Sequence, residues 1–252
     1  KIMATTIGQE FWEKTKYPHL SISAQRQGVP IPELELPYDP SAALIPLPDV
    51  STITPPTANL WATINQRSTL RSYSPEALTL EELALLLWVT QGVKEVTNRP
   101  VTFRTVPSAG SRHAFESFLL INRVEGVTPA IYRYLSLEHA LLPYDLSADT
   151  CDRIQTACLT NTHISQSAVT FFWAAQAERM TWRYCERGYR YLLLDAGHVC
   201  QNLYLAAEGL GWGVCAIAAY DDDLLNQALK LDGEQVFVVY AATLGKRTIE
   251  DK

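Results

Sequence analysis

Three stretches carry side chains whose types and spacing could do chemistry. In Arg67-Ser68-Thr69-Leu70-Arg71 two guanidinium groups flank two hydroxyls at a spacing of four. A planar guanidinium donates two parallel charge-assisted bonds to a phosphate, so this run reads as an anion clasp. Leu60 and Ile64 at helical spacing before it predict that the clasp continues a helical turn, with Arg67 and Arg71 on one face. Pro107-Ser108-Ala109-Gly110, followed by Ser111-Arg112-His113, is a small-residue loop whose main chain could approach a flat ligand closely. Gly209 to Tyr220 carries a helix end into a strand of small and β-branched residues, flat enough at Ile217, Ala218 and Ala219 to lie along an aromatic ring system. Taken singly, these stretches read equally well as a solvated helix face, a turn and a core strand.

Other chemistries find no support. The cysteines at 151, 158, 185, 200 and 215 are odd in number and contain no C-x-x-C, which is not a disulfide framework. The five histidines are scattered, with no metal-ligand spacing, so no metal is expected. No G-x-G-x-x-G or P-loop pattern supplies a phosphate site. With 21 Lys+Arg against 27 Asp+Glu the formal charge is −6, and no basic stripe offers a footprint for nucleic acid. The apolar runs, none longer than that from Leu83 to Val89, are too short for a membrane span. The N-terminus lacks the apolar region of a signal peptide, Met3 reads as a natural start, and a cytoplasmic location follows as the expectation.

The elements that must position these stretches are partly legible. Nine of the 14 prolines fall between Pro18 and Pro56, which rules out helix interior and central strand there. Ile22, Val29, Ile31, Leu34, Leu36 and Leu44 make that segment too apolar for a solvated linker, so it reads as an extended arm lying on the body or on a partner chain. A short helix over 10–16 precedes it. Thr79-Leu80-Glu81-Glu82 is a capping box opening a helix that should stop at Gly92. Strands are predicted over 117–121, 130–134, 169–174, 214–217 and 236–243, and a helix over 149–159. A long helical pattern runs from Met180, with Leu193, Gly197, Cys200, Tyr204 and Ala207 on one face, Gly188 and Gly197 within it suggesting a break or close helix-to-helix packing, and stop signals at Gly209 and Gly211. Without regular βαβ alternation the class is α+β, with an arm over 1–57 and a second unit over 58–252.

In this order the blocks resemble the nitroreductase-type FMN flavoproteins, and within them the SagB-type branch, whose best-known members oxidise azoline rings in ribosomal peptides. The resemblance is carried by Arg67-Ser68-Thr69-Leu70-Arg71-Ser72-Tyr73, Leu80-Glu81-Glu82-Leu83 with Leu87-Trp88, Pro107-Ser108-Ala109-Gly110 with His113 and Glu116, Trp182-Arg183-Tyr184, Arg187-Gly188-Tyr189-Arg190-Tyr191, Ala196-Gly197-His198 with Gln201-Asn202-Leu203, and Asp221-Asp222-Asp223. Phe11 to Leu20 also resembles the opening of SagB-type chains.

The resemblance implies a mixed central sheet flanked by helices, in an intertwined homodimer with FMN between subunits. It puts Arg67, Ser68, Thr69 and Arg71 on phosphate and flavin-oxygen contacts, and Pro107, Ser108, Ala109 and Gly110 on a loop reaching the flavin from the partner. It puts Ile217, Ala218 and Ala219 along the isoalloxazine near N5. Lys246 and Arg247 would replace the basic tail of some relatives. The SagB-type Lys-Tyr pair corresponds here to Arg183 and Tyr184. Arginine stays charged, so Arg183 suits orienting an anion rather than accepting a proton, and Tyr184 is left as the proton donor or acceptor. The implied activity is hydride or electron transfer through flavin N5, dehydrogenating a heterocycle in a peptide or, alternatively, reducing nitroaromatics or quinones with NAD(P)H. A flavin-binding or partner-binding module without turnover is the reading from outside the enzymes.

Overall fold

The computed structural model describes residues 5–248, so Met3 lies outside the described residues. A seven-stranded sheet forms the centre. Its strands are β1 (Ile45–Pro46), β4 (Phe115–Ile121), β5 (Ala130–Leu135), β6 (Ala140–Asp145), β7 (Val169–Gln176), β8 (Trp212–Ile217) and β9 (Val236–Lys246), in the order β1-β6-β5-β4-β7-β9-β8. Their pairings are antiparallel. Parallel pairing enters at isolated bridges, of which Thr69 to Val214 matters for the site. A separate hairpin pairs β2 (Val93–Val96) with β3 (Thr102–Arg104).

Helices cover both faces, and the strands show why. β4 and β7 are buried at nearly every position, the pattern of strands covered on two sides, and their sequences are near-continuous apolar runs. On one face, Leu119, Ile121, Phe171 and Trp173 meet α3 (Leu80–Gln91) and α7 (Gly188–Gly209). On the other, Phe118, Leu120 and Phe172 meet α4 (Thr150–Ala157), α5 (His163–Gln166) and α8 (Asp222–Ala228). Three smaller helices complete the set: α1 (Ile7–Lys14), α2 (Leu60–Gln66) and α6 (Ala177–Tyr184). The α3 capping box forms as the sequence requires: Thr79 Oγ1 accepts from Glu82 N–H at 3.1 Å and Glu82 Oε2 from Thr79 N–H at 2.9 Å. Glu82 Oε1 also accepts from Trp212 Nε1 at 3.0 Å, tying this helix start to the start of β8.

Several expectations shift. The first helix runs Ile7–Lys14 rather than 10–16, because the Thr6/Gln9 capping box opens it earlier. β6 was hidden by Pro143, which the strand tolerates close to the sheet edge, beyond the short β1 pairing. The pattern from Met180 is two helices, with the break at Cys185 (φ 50°); Gly188 marks close packing, since a Cβ there would stand 3.1 Å from the Met180 main chain, whereas Gly197 has open space beside it. The buried stripe of α7 is Leu192, Asp195, Ala196, Val199, Cys200, Leu203 and Ala207; Leu193, placed on the inner face by the sequence, is 61% exposed. Among the described residues no helix is long and apolar enough to cross a membrane.

The proline-rich segment lies on the body of the same chain. Gln25 N–H donates to Trp182 O at 2.9 Å and Trp182 Nε1 to Val29 O at 2.9 Å. Further along, Glu116 Oε1 accepts from Leu36 N–H at 2.8 Å and from Arg179 at 2.6 Å, while Arg133 donates to Leu36 O at 2.6 Å. Glu116, Arg133 and Arg179 are each nearly inaccessible, so a buried ion cluster pins an otherwise irregular chain.

Candidate flavin and substrate sites

Two clusters hold the residues singled out from the sequence, and α7 joins them. The first is the anion clasp. Its helical expectation fails: α2 stops at Gln66, Arg67 is its C-cap, and the chain continues extended, with Leu70 N–H donating to Val214 O at 2.9 Å. The shared face survives for a different reason. In extended chain alternate residues point the same way, so Arg67, Thr69 and Arg71 line one side while Leu70 is buried on the other. This segment can lie across the sheet because Gly213 and Gly245 leave room. A Cβ on Gly213 would stand 2.3 Å from Leu70 Cδ2, and one on Gly245 would stand 2.7 Å from the Tyr73 ring.

Tyr204 of α7 organises the clasp. Its ring lies under the Arg67 guanidinium, 5.2 Å from the centroid. Its hydroxyl accepts from Ala216 N–H at 2.9 Å and stands 3.3 Å from Thr69 Oγ1. Arg71 reaches toward the Cys215 thiol, which burial raises above the ordinary value and Arg71 partly offsets. Arg247 joins from the end of β9, with NH1 3.5 Å from Ser68 Oγ and NH2 paired to Glu208 at 2.5 Å. Lys246 is not brought here; its ammonium pairs with Glu76 at 3.1 Å and stands over the Trp212 ring. Among the described residues neither Arg67 nor Arg71 has a carboxylate partner. Two uncompensated guanidiniums and the Thr69 hydroxyl on one side of the segment, with Arg247 beside Ser68 at its edge, are a donor set suited to the phosphate of FMN.

At the end of β8, Ile217 turns its side chain into the core beside Phe118 and Leu225, leaving its main chain as the part available to a ligand. Ala218 and Ala219, just past the strand, are exposed.

The second cluster is the loop between β3 and β4. Ser108 Oγ accepts from His113 N–H at 2.9 Å, and Ala109 N–H donates to Asp195 Oδ1 at 3.4 Å; Pro107 is exposed at the head of the loop. Gly110, Ser111 and His113 all have positive φ, the kind of strained backbone that persists where surroundings enforce it. Gly110 has a second constraint: a Cβ there would stand 2.5 Å from Tyr184 Oη and 3.2 Å from Arg183 Cδ. The small-residue loop is thus laid directly on the Arg183–Tyr184 pair. Tyr184 packs edge-on against Tyr191 at 4.8 Å, the Arg183 guanidinium stands 5.6 Å from the Tyr184 centroid, and among the described residues the Tyr184 hydroxyl makes no hydrogen bond.

Asp195, which the sequence reading passed over, is buried under this loop; its Oδ2 has no partner among the described residues, and burial raises its pKa. An acid inside the buried stripe of α7 was the available signal. Asp195 and Tyr204 are nine residues apart on one helix, so the two clusters are separated by roughly 13 Å along its axis.

Comparison with known proteins places the chain. The profile of the nitroreductase family matches residues 64–246, and the chain belongs to that family. It is 32% identical over 187 residues to the Methanocaldococcus jannaschii protein MJ1384, named for the nitroreductases, covering 74% of this chain and 89% of that one. It is 26% identical over 166 residues to the trifolitoxin-processing protein TfxB of Rhizobium leguminosarum bv. trifolii, covering 63% of this chain and 44% of TfxB. Among solved structures, a nitroreductase-type protein of Anabaena variabilis superposes with a TM-score of 0.65 at 27% identity, over 83% of this chain and 42% of that one. The chain thus spans less than half the length of these last two relatives. The fold is shared with a chain of the E. coli microcin synthetase McbBCD complex with truncated pro-MccB17 bound (TM-score 0.61, 20% identity, 95% of this chain and 86% of that one). It is shared also with a Desulfovibrio desulfuricans protein in complex with FMN (TM-score 0.55, 18% identity, 78% and 91%). The protein is thus a nitroreductase-family chain of nitroreductase fold, similar over part of its length to TfxB.

Proposed function

We propose that this protein is an FMN-dependent oxidoreductase of SagB type, working as a homodimer that dehydrogenates a heterocycle in a modified peptide. The observation that carries the FMN assignment is the set of uncompensated guanidiniums of Arg67 and Arg71 on one side of an extended segment, with Arg247 beside Ser68. The FMN-bound Desulfovibrio structure supports the cofactor, and TfxB and the microcin synthetase support a peptide substrate. Exposed Trp61 and Ile64 on α2 and exposed Leu193 and Leu194 on α7 support a two-chain arrangement, in which the clasp of one subunit and the loop of its partner complete each site.

FMN, when bound, supplies the two-electron redox chemistry at its N5. This chain's own groups do the rest. Arg67, Ser68, Thr69, Arg71 and Arg247 hold the phosphate; Ala218 and Ala219, with the main chain at Ile217, offer a flat surface. The loop from Pro107 to Gly110, offered by the partner, would exclude water from the bound cofactor. Tyr184 Oη gives or takes the substrate proton, and Arg183 orients an anionic group beside it. The arm, whose described part over 5–57 packs against the unit that follows, forms the outer wall of the substrate side, in a cytoplasmic enzyme. Arg183 in place of lysine favours a second reading, reduction of nitroaromatics or quinones with NAD(P)H, because that reaction needs no side chain able to lose a proton at this position.

The test is an absorption spectrum and flavin identification on purified protein, then anaerobic titration with NADH and NADPH. A yellow protein whose reduced form reoxidises in dioxygen but which neither nicotinamide bleaches supports the dehydrogenase. Bleaching by NAD(P)H supports the reductase. Colourless protein that takes up no added FMN refutes both.

A further inference from the structure

On the outer side of the Gly110–Tyr184 contact the arm, the β2–β3 hairpin and α6 enclose a cavity of about 520 Å³, and a second of about 360 Å³ opens on the far side of Arg183. Gln25 of the arm and Arg183 line both, so they form one groove with Arg183 as its internal wall. Arg99 and Arg112 line the larger part and Arg26 the smaller, while among the described residues no Asp or Glu lines either. This is unexpected in a chain with a formal charge of −6.

These cations are not balanced elsewhere. Among the described residues none of Arg26, Arg99, Arg112 and Arg183 is within salt-bridge distance of a carboxylate. Arg112 is the telling one, since it is only 8% exposed. Its Nε donates to Gly110 O at 3.1 Å and its guanidinium lies over the Trp182 ring, contacts that supply no negative charge. Burial lowers its pKa and the Arg183 cation lowers it further, so the two guanidiniums repel one another. Desolvating a guanidinium beside a like charge is costly, and the cost is recovered when an anion enters.

We infer that the groove selects a substrate bearing a carboxylate, held by Arg99, Arg112 and Arg183 so that the group to be oxidised or reduced lies at Tyr184. The inference rests on the proposed flavin site for the reaction, but the anion preference is a binding property and is measurable without turnover. A carboxylate of this kind comes either from a small molecule or from an acidic peptide, and both present the same fork to a guanidinium.

The experiment is calorimetric titration of the full chain, as purified, with two matched pairs: 4-nitrobenzoate against 4-nitrobenzamide, and a short glutamate-containing peptide against its glutamine counterpart. The charged member of at least one pair should bind about tenfold tighter than its neutral partner, the effect of one charge-assisted contact. Added salt should narrow the gap. Arg99→Gln, on an exposed loop where folding is not at stake, should reduce it severalfold, and Arg112→Gln should do the same; Arg99→Lys should retain part of it. Preference confined to the nitrobenzoate pair identifies a small-molecule source, and preference confined to the peptides an acidic peptide. Equal binding within both pairs overturns the inference, as does a preference that survives the Arg99→Gln/Arg112→Gln double substitution. Competition of the charged probes with added FMN also overturns it, by assigning the cations to the flavin. A protein that binds no flavin yet discriminates within a pair would refute the proposed activity and leave the anion groove standing.

Discussion

At Gly110 a left-handed backbone and a missing side chain are required at once, because Tyr184 Oη occupies the space a Cβ would take. Gly110→Ala should therefore push the loop off the Arg183–Tyr184 pair. Strain of about 1–2 kcal/mol is expected in urea unfolding, and turnover should fall roughly a hundredfold if reacting groups shift by about an ångström. An unchanged rate would show that the loop does not position the chemistry. Tyr184→Phe separates packing from proton transfer, since the ring against Tyr191 is kept and only the hydroxyl is lost. Flavin content should stay constant while turnover falls by roughly 10²-fold or more; equal rates would remove the hydroxyl from the reaction. Arg183 and Tyr184 were legible through family resemblance. Tyr204 was read only as a position on a helix face, because nothing in its neighbourhood along the chain reveals that its hydroxyl meets Ala216, twelve residues on, and Thr69, 135 residues away.

Among elements, the extended segment over 67–71 shows where sequence periodicity fails. Arg67 and Arg71 share a side at a spacing of four in both helix and extended chain, so the grouping was legible and the conformation was not. The parallel bridge to Val214, a tertiary contact, decides between them. Gly213→Ala should disturb this segment from beneath, through the Leu70 side chain, and weaken FMN binding more than it lowers the unfolding midpoint; the reverse order would detach the segment from the cofactor. The strand runs were legible because burial on both faces makes them continuously apolar, whereas β6 was masked by Pro143.

The loop before β4 adds a pH dependence. Burial, with Arg104 and Arg112 nearby, pushes His113 down to about 3 from an ordinary 6.5. The unfolded chain therefore takes up the proton first. His113 contributes fully above pH 6.5, and that stability is lost as pH falls toward 3, at no more than about 1.4 kcal/mol per pH unit. In urea unfolding from pH 7 to pH 4, His113→Gln should show a shallower decline than the parent chain; parallel declines would contradict the assignment.

Across the described residues, the arm packs on the body through polar pins and lines the proposed groove. Of the apolar residues read as needing cover, Ile31, Leu34, Leu36 and Leu44 are half-buried, whereas Ile22 and Val29 stay exposed. The polar pins were not legible, since Glu116 joins Leu36 to Arg179 across separations of 80 and 63 residues. Glu116→Gln leaves two buried guanidiniums short of their counter-charge and should cost about 3–5 kcal/mol, with faster proteolysis near residue 36; an unchanged midpoint would mean the cluster does not hold the arm. Exposed Trp61 and Ile64 on α2 and Leu193 and Leu194 on α7 supply apolar surface for the proposed second subunit.

The central claim is that the segment from Arg67 to Arg71 holds a phosphate. Its most direct test is to compare FMN with riboflavin, which lacks only that group, by fluorescence titration of flavin-free protein and of the Arg67→Ala/Arg71→Ala variant. FMN should bind the parent chain at least about a hundredfold tighter, as expected for two charged contacts, and the variant should bind both weakly and alike. Equal affinity for the two flavins in the parent chain, or an FMN preference undiminished in the variant, would contradict the account.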